Sequence, residues 1–415
     1  MPERPYGQKA RGSGRVLDDY VTWQSGGTPS KANQRYWAGN IPWVTPKDMK
    51  WFDLRTTTDY LTPAGVAAGS KMAPQSATYI VVRGMILAHT FPVSQMSTPA
   101  AFNQDVKAVA PGPELISRYL AYWFKAHAGD FLRLVGESTH GTKKLDLPDL
   151  RMFPMDPPSL TEQARIVEIL NSLDAQIGST KQIIEKYRLQ RIGLADHFVM
   201  NAANRKGAGI LSLGEIVNGR GGFIQTGPFG SQLHSFDYVD DGVPVVMPQD
   251  LADGHVNLDS IARVSESKAR SLGRHRMLPG DVVFARRGDL ERCAEITARE
   301  QGWLCGTGCL LVRTPRGVLS AAWLTLVYGH DLGRRHVRAN AVGSTMANLN
   351  TSILGSLQLP VPPMADQEAA ISTISAVDHE AAAERKRLAK LHALKSALMT
   401  DLLAGRVRVP EEVVA

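Results

Sequence analysis

Cysteine is scarce: Cys293, Cys305 and Cys309 are the only three in 415 residues, all in the second half. An odd count without framework spacing excludes a disulfide scaffold and predicts reduced thiols packed as core residues in a cytoplasm. Long apolar runs are missing too. No stretch approaches the ~20 residues that span a bilayer, and the polar opening MPERPYGQKARGSGR lacks the apolar heart of a signal peptide. A soluble cytoplasmic chain with no membrane partner is expected. Acid falls short of base, with 40 Asp and Glu against 47 Lys and Arg, which leaves a formal charge of +7. Such a surplus is compatible with nucleic acid and equally with a solvated surface. At 43% hydrophobic and 21% charged residues the composition is globular, and the length asks for two domains plus connecting structure.

What the sequence has is a copy of itself. Residues 41–49 read IPWVTPKDM and residues 243–251 read VPVVMPQDL, 202 positions on, with Tyr36 and Tyr238 at the same spacing. Later, PPSLTEQARIVEILNSLD (157–174) is echoed by PPMADQEAAISTISAVD (362–378), where Glu162-Gln163 and Asp174 match Asp366-Gln367 and Asp378. Two separated blocks in the same order make a tandem duplication of a unit of roughly 200 residues.

Each unit opens with short β-type runs, such as TYIVV (78–82) and DVVFA (281–285), and amphipathic helices around 115–134 and 320–337. That is an α+β domain, expected over 1–156 and again over 206–361. Pro157-Pro158 and Pro362-Pro363 then announce long helices, 157–205 and 362–410. Ser159 and Glu162 fit a capping box, Asp366 is a cap in the second copy, and Gly405 suits a left-handed helix end. The first helix carries the seam Ile166, Leu170, Leu173, Ile177, Thr180, Ile184, Tyr187, Arg191, Leu194, Phe198. The second repeats it 204 residues on, as Ala370, Ile374, Val377, Ala381, Glu384, Leu388, Leu391, Lys395, Leu398, Leu402. Alternating steps of four and three are the coiled-coil rule, and the polar interruptions coincide. The two helices are therefore expected to pair as an antiparallel coiled coil with a domain at each end. At ~1.5 Å per residue, some 36 residues make a rod of roughly 54 Å.

Motifs for catalysis are lacking. Asp156-Pro157-Pro158-Ser159 approaches the Asp-Pro-Pro-aromatic motif of amino-methyltransferases, but Ser159 cannot stack on a flipped base, and the second copy reads Val361-Pro362-Pro363-Met364. Gly136 to Lys143 misses a P-loop because Thr142 stands where its lysine belongs. Cys305 and Cys309 have no third ligand at metal spacing. Glu266-Ser267-Lys268 has no positioned acid partner for nuclease chemistry.

The segments GGTPSKANQRYWAGNIPW (26–43), GPFGSQLHSFDYVDDGVPVVMPQDL (227–251), PPSLTEQARIVEILNSLD (157–174) and LKSALMTDLLAGRVRV (394–409) closely resemble Type I restriction–modification specificity subunits. The resemblance implies two target recognition domains, each reading half of a split DNA sequence, with helices that fix the spacer. It implies double-stranded DNA as ligand and two modification subunits, N6-adenine methyltransferases, as partners, with restriction subunits added. It also implies no catalytic centre and no cofactor on this chain. AdoMet, and ATP with Mg²⁺ for restriction, belong on the partners. The second heptad departs in being richer in alanine.

Phosphate contacts position a protein and base-edge contacts specify sequence. Three candidates for DNA contact follow. The first is the loop Ser138–Lys144, with Thr142, Lys143 and Lys144, and its counterpart with Ser344 and Thr345. The second is Arg286-Arg287 after an apolar strand, where arginine could grip a guanine edge; His89-Thr90 stands near the corresponding place in the first copy. The third is the basic run Lys268, Arg270, Arg274, Arg276. Arg334, Arg335 and Arg338 read as a helix surface. The alternative is a coiled-coil adaptor whose two α+β domains bind protein.

Overall fold

The computed structural model describes residues 14–75, 77–137, 141–205, 210–218, 220–252, 254–259, 261–341 and 348–409. The chain divides into two compact units, Met1–Lys181 with Lys386–Ala415, and Gln182–Arg385. Among the described residues no helix is long and apolar enough to cross a membrane.

In the first unit, β1 (Val21–Ser25), β2 (Ile41–Val44), β3 (Asp53–Leu54), β4 (Thr78–Val81), β5 (Val93–Met96), β6 (Ala100–Phe102) and β7 (Val106–Pro111) build two sheets. One has the order β1-β7-β4-β5-β3; the other sets β2 parallel to β6, between strands Asp59–Leu61 and Met72–Ala73. Every residue of β4 is buried, which explains its unbroken apolar run. The helix expected over 115–134 is broken into α1 (Ser117–Ala126) and α2 (Ala128–Arg133). His127 ends α1: its Nδ1 lies 3.0 Å from the Trp123 carbonyl, and its ring packs on Trp123 and Phe153 at 4.5 and 5.5 Å. Burial pushes its pKa below the ordinary value, so the ring behaves as part of an aromatic core with Phe124 and Phe131. A hairpin of β8 (Val135–Glu137) and β9 (Lys143–Leu145) follows, and then the long helix α3 (Leu160–Asn204).

The second unit repeats the plan. Strands β10 (Phe223–Thr226), β11 (Val243–Val246), β12 (Asp281–Ala285), β13 (Cys293–Glu295) and β14 (Cys309–Arg313) include a sheet ordered β10-β14-β12-β13. The register is repeated as well: Trp43↔Ala101 and Val44↔Phe102 correspond to Val245↔Leu304 and Val246↔Cys305. The shared aspartate closes the turn after this strand in both copies. Asp48 Oδ2 accepts from the Thr45 N–H at 2.9 Å and Asp250 Oδ2 from the Met247 N–H at 2.8 Å. The three cysteines are free and buried, and burial pushes the Cys293 thiol up to about 12. The helix expected over 320–337 is again two, α4 (Ala321–Gly329) and α5 (Asp331–Ala341). His330 adopts extended backbone between them, and its Nδ1 accepts the Leu332 N–H at 3.2 Å, an N-cap for α5. The final long helix is α6 (Met364–Leu403). The architecture is thus α+β and duplicated.

Each unit buries a stretch of both long helices, and in each the two run antiparallel. In the first unit Ile166 and Leu170 of α3 join the same core as Leu402 and Leu403 of α6, and Glu162 meets Arg408 at 3.2 Å. In the second unit Val199 and Ala202 of α3 join the core with Ala370 and Ile374 of α6, and Arg205 meets Asp366 at 2.5 Å. Of the expected seam, Ile166, Leu170, Leu173, Ile177, Ile374, Val377 and Leu402 are buried. Ile184, Tyr187, Leu194, Phe198, Leu388, Leu391 and Leu398 are half-buried.

Two capping expectations need correction. Ser159 Oγ accepts the Glu162 N–H at 3.3 Å, but the Glu162 carboxylate is taken by Arg408 and the Val409 N–H rather than returning to Ser159. Asp366 spends its carboxylate on Arg205 instead of capping. The helix entries are held by the next residue instead. Gln163 Oε1 accepts the Ile116 N–H while its amide donates to the Glu114 and Pro158 carbonyls. Gln367 repeats all three bonds with Ser320, Val318 and Pro362. At the far end Gly405 takes φ +66°, the left-handed cap expected of it.

Candidate nucleic-acid interface

In the first unit the chain leaves β4 through Val82, Arg83 and Gly84. The Leu145 N–H donates to the Val82 carbonyl and the Gly84 N–H to the Lys143 carbonyl, both at 2.9 Å, so β9 lies beside this turn. Gly84 has φ +141°, ψ 157°, a conformation open essentially to glycine alone. In the second unit the Leu349 N–H donates to the Arg286 carbonyl at 3.0 Å, and Gly288 has φ +78°.

These bonds equate Val82 with Arg286, and Arg83-Gly84 with Arg287-Gly288. The expected correspondence of His89-Thr90 with Arg286-Arg287 is therefore wrong. Those two residues lie beyond a short helical turn, Met85–Ala88, whose length the sequence offered no way to align. Arg83 is the residue that reading missed; its pairing in the ladder, not its neighbours in sequence, identifies it.

The predicted cations fare differently from one another. Lys143 sits in β9 and is paired with Glu137 at 2.9 Å, whereas Lys144 is exposed and enters no ion pair among the described residues. Thr142 is half-buried just before that strand. Ser344 and Thr345 lie outside the described residues. Arg286 is half-buried and its Nε donates to Asn348 Oδ1 at 3.3 Å; Arg287 is exposed. Within the basic run Lys268 is taken by Asp237 at 2.8 Å, and with the His234 N–H it holds that carboxyl below its usual range. Arg276 is taken by Glu266 at 2.7 Å. Arg270 and Arg274 stay exposed. Arg334 and Arg338 face Glu291, and Arg335 faces Asp331, on the surface of α5.

Of the predicted cations of the second unit, Arg270, Arg274 and Arg287 are exposed and enter no ion pair among the described residues. In the first unit Lys144 is joined by cations on a turn that sequence reasoning passed over. Between β2 and β3 the chain carries Lys47, Lys50 and Trp51, beside a groove of about 550 Å³ that Gly84 also lines. The only signal in the sequence was Lys47-x-x-Lys50-Trp51, which begins inside the repeated V-x-P-x-D segment and runs past its end. Cations of this kind beside a strand-end turn can hold phosphate, and an arginine at such a turn can reach a base edge.

Comparison with known proteins finds Type I restriction–modification specificity subunits. The family model of the Type I restriction modification DNA specificity domain matches residues 15–187. The EcoR124I/EcoR124II specificity subunit of Escherichia coli is 35% identical over 167 residues, 40% of this chain and 41% of that protein. The chain thus spans less than half of that relative. The MjaIX specificity subunit of Methanocaldococcus jannaschii is 21% identical over 432 aligned positions, covering 96% of this chain and 94% of the relative. Among solved structures, the Type I S subunit of M. genitalium superposes with a TM-score of 0.56 at 16% identity, covering 94% of this chain and 95% of that one. That likeness concerns the fold.

Proposed function

We propose that the chain is the DNA-reading subunit of a Type I restriction–modification complex, the family whose specificity-domain model matches residues 15–187. It takes double-stranded DNA with a bipartite target and reads one half with each recognition domain. It docks two modification subunits, N6-adenine methyltransferases, and restriction subunits. AdoMet, and ATP with Mg²⁺, act on those partners, and this chain carries out no chemistry of its own.

The observation that carries the reading is the repeated strand-end turn. Arg83-Gly84 and Arg287-Gly288 occupy matching places in two copies of one scaffold, while the residues around them differ. Two domains that must read unlike half-sites need this: a common frame with different tips. Lysines such as Lys144 supply sequence-independent attraction to phosphate; of the two arginines at the turns, Arg287 is exposed and suited to a base edge, whereas Arg83 pairs with Asp105 at 3.3 Å and would have to leave it to reach one. Methylome sequencing of a host with and without the chain tests the proposal. A split adenine-methylated motif should disappear with the chain. If every methylated motif persists in its absence, the chain does not direct methylation.

A further inference from the structure

We propose that Trp51 is a specificity-determining residue of the first recognition domain, its indole pressed on a base edge of duplex DNA while Lys47 and Lys50 hold flanking phosphates. The inference rests on the DNA-reading function above and deepens it.

The turn that carries these residues is locked before any ligand arrives. Asp48 accepts from the N–H and Oγ of Thr45 through one oxygen and from the N–H and Oγ of Thr58 through the other. Both carboxylate oxygens are spent on uncharged donors, so Asp48 forms no ion pair with the lysines beside it. The Trp51 carbonyl is fixed by Ser94 Oγ at 2.7 Å, and the next residue, Phe52, accepts from the Gln95 N–H at 2.7 Å. The backbone is pinned on both sides, yet the Trp51 side chain is left out, 71% exposed. A large aromatic on a fixed backbone but uncovered is available to a partner, and no backbone freedom is lost when it is used.

Across the groove stand Met85 and Ile86, 61% and 42% exposed. The lining holds three lysines, Lys47, Lys50 and Lys125, and not one carboxylate. Apolar side chains beside lysines, in a groove lined by no carboxylate, match DNA, which offers thymine methyls and base edges inside a fence of phosphates. The tip is not part of the duplication. After the shared Asp48-Met49 and Asp250-Leu251 the second unit continues Ala252-Asp253 where the first has Lys50-Trp51, so the same scaffold bears unlike tips.

The test is selection from random duplexes by the full chain, purified with the subunits that accompany it. Wild type should enrich a split motif. Trp51→Ala should relax positions within one half by about ten-fold in preference, leaving the other half and the salt dependence unchanged. Trp51→Phe should restore most of that preference. Lys47→Ala with Lys50→Ala should weaken all sequences alike and lower the log–log salt slope by up to about 1.8. A wild-type motif retained in full by Trp51→Ala overturns the assignment while the DNA-reading function stands. Wild type that enriches no motif overturns the function itself, and the assignment with it.

Discussion

Asp174 of α3 binds the ammonium of Lys395 of α6, and its other oxygen accepts from Tyr122 Oη at 2.7 Å. The duplicated counterpart, Asp378 with Arg191 at 2.9 Å, exchanges the helices that supply acid and base. The cationic interruptions of the heptad seam, Arg191 and Lys395, are thus the basic halves of two equivalent ion pairs.

The pairs differ in burial. Lys395 and Asp174 are 10% and 33% exposed, Arg191 and Asp378 43% and 48%. Lys395→Met should therefore cost roughly 1–3 kcal/mol, between the values for exposed and buried pairs, because it strands a half-buried carboxylate. Arg191→Met should cost under about 1 kcal/mol. Urea denaturation of the two variants compares them; equal losses would show that burial does not separate the pairs.

The same carboxylate sets a pH dependence. Burial pushes the Asp174 pKa up, but the bonds from Lys395 and Tyr122 outweigh it and leave the group below its usual range. A carboxyl lowered by folding stabilises above its unfolded value of ~3.9, and that contribution fades as pH falls through the folded value. Asp174→Asn should be less stable than wild type at pH 7, with the gap closing below about pH 4. Thermal melts at the two pH values decide it, and an undiminished gap in acid would assign the stability to shape rather than charge.

The seam was legible in the sequence because a coiled coil writes its period into the residues that are buried. Which acid meets Lys395 was not, since that depends on the antiparallel register of two helices far apart in the chain. The break at His127 was hidden for a related reason: the periodicity around it is helical, and its ring packing and Nδ1 contact with the Trp123 carbonyl appear only in the folded chain. At the candidate interface, Arg286 and Arg287 were legible as cations after an apolar strand. Glu137 opposite Lys143 and the equivalence of Arg83 with Arg287 needed the strand ladder.

Gln163 and Gln367, both fully buried, each satisfy one backbone N–H and two carbonyls at a helix entry. Leucine would fit the volume but strand these groups, at roughly 2–4 kcal/mol for each substitution. Gln163→Leu should speed amide hydrogen exchange around 114–116 and at the start of α3, and Gln367→Leu around 318–320 and at the start of α6. Exchange that rises equally over the whole chain would mean the clamps act globally.

The lysines of the β8–β9 hairpin should part company in solution. Lys143 is engaged by Glu137, so its charge is already partly offset, whereas Lys144 stands exposed beside the Arg83-Gly84 turn. Each phosphate left without its lysine should lower the slope of log K against log salt by about 0.9. Lys144→Ala should therefore flatten that slope by close to this amount and weaken binding alike for all sequences. Lys143→Ala should change the slope by less, because it also releases Glu137, whose charge then repels phosphate and weakens binding by a separate route. Glu137→Gln separates the two effects: it should strengthen non-specific binding by freeing Lys143. Titration of the full chain with duplex DNA between ~50 and ~200 mM salt, the range over which phosphate attraction falls steeply, provides the measurement. Equal slopes for Lys143→Ala and Lys144→Ala would show that the Glu137 pair opens on DNA, and that both lysines then reach phosphate.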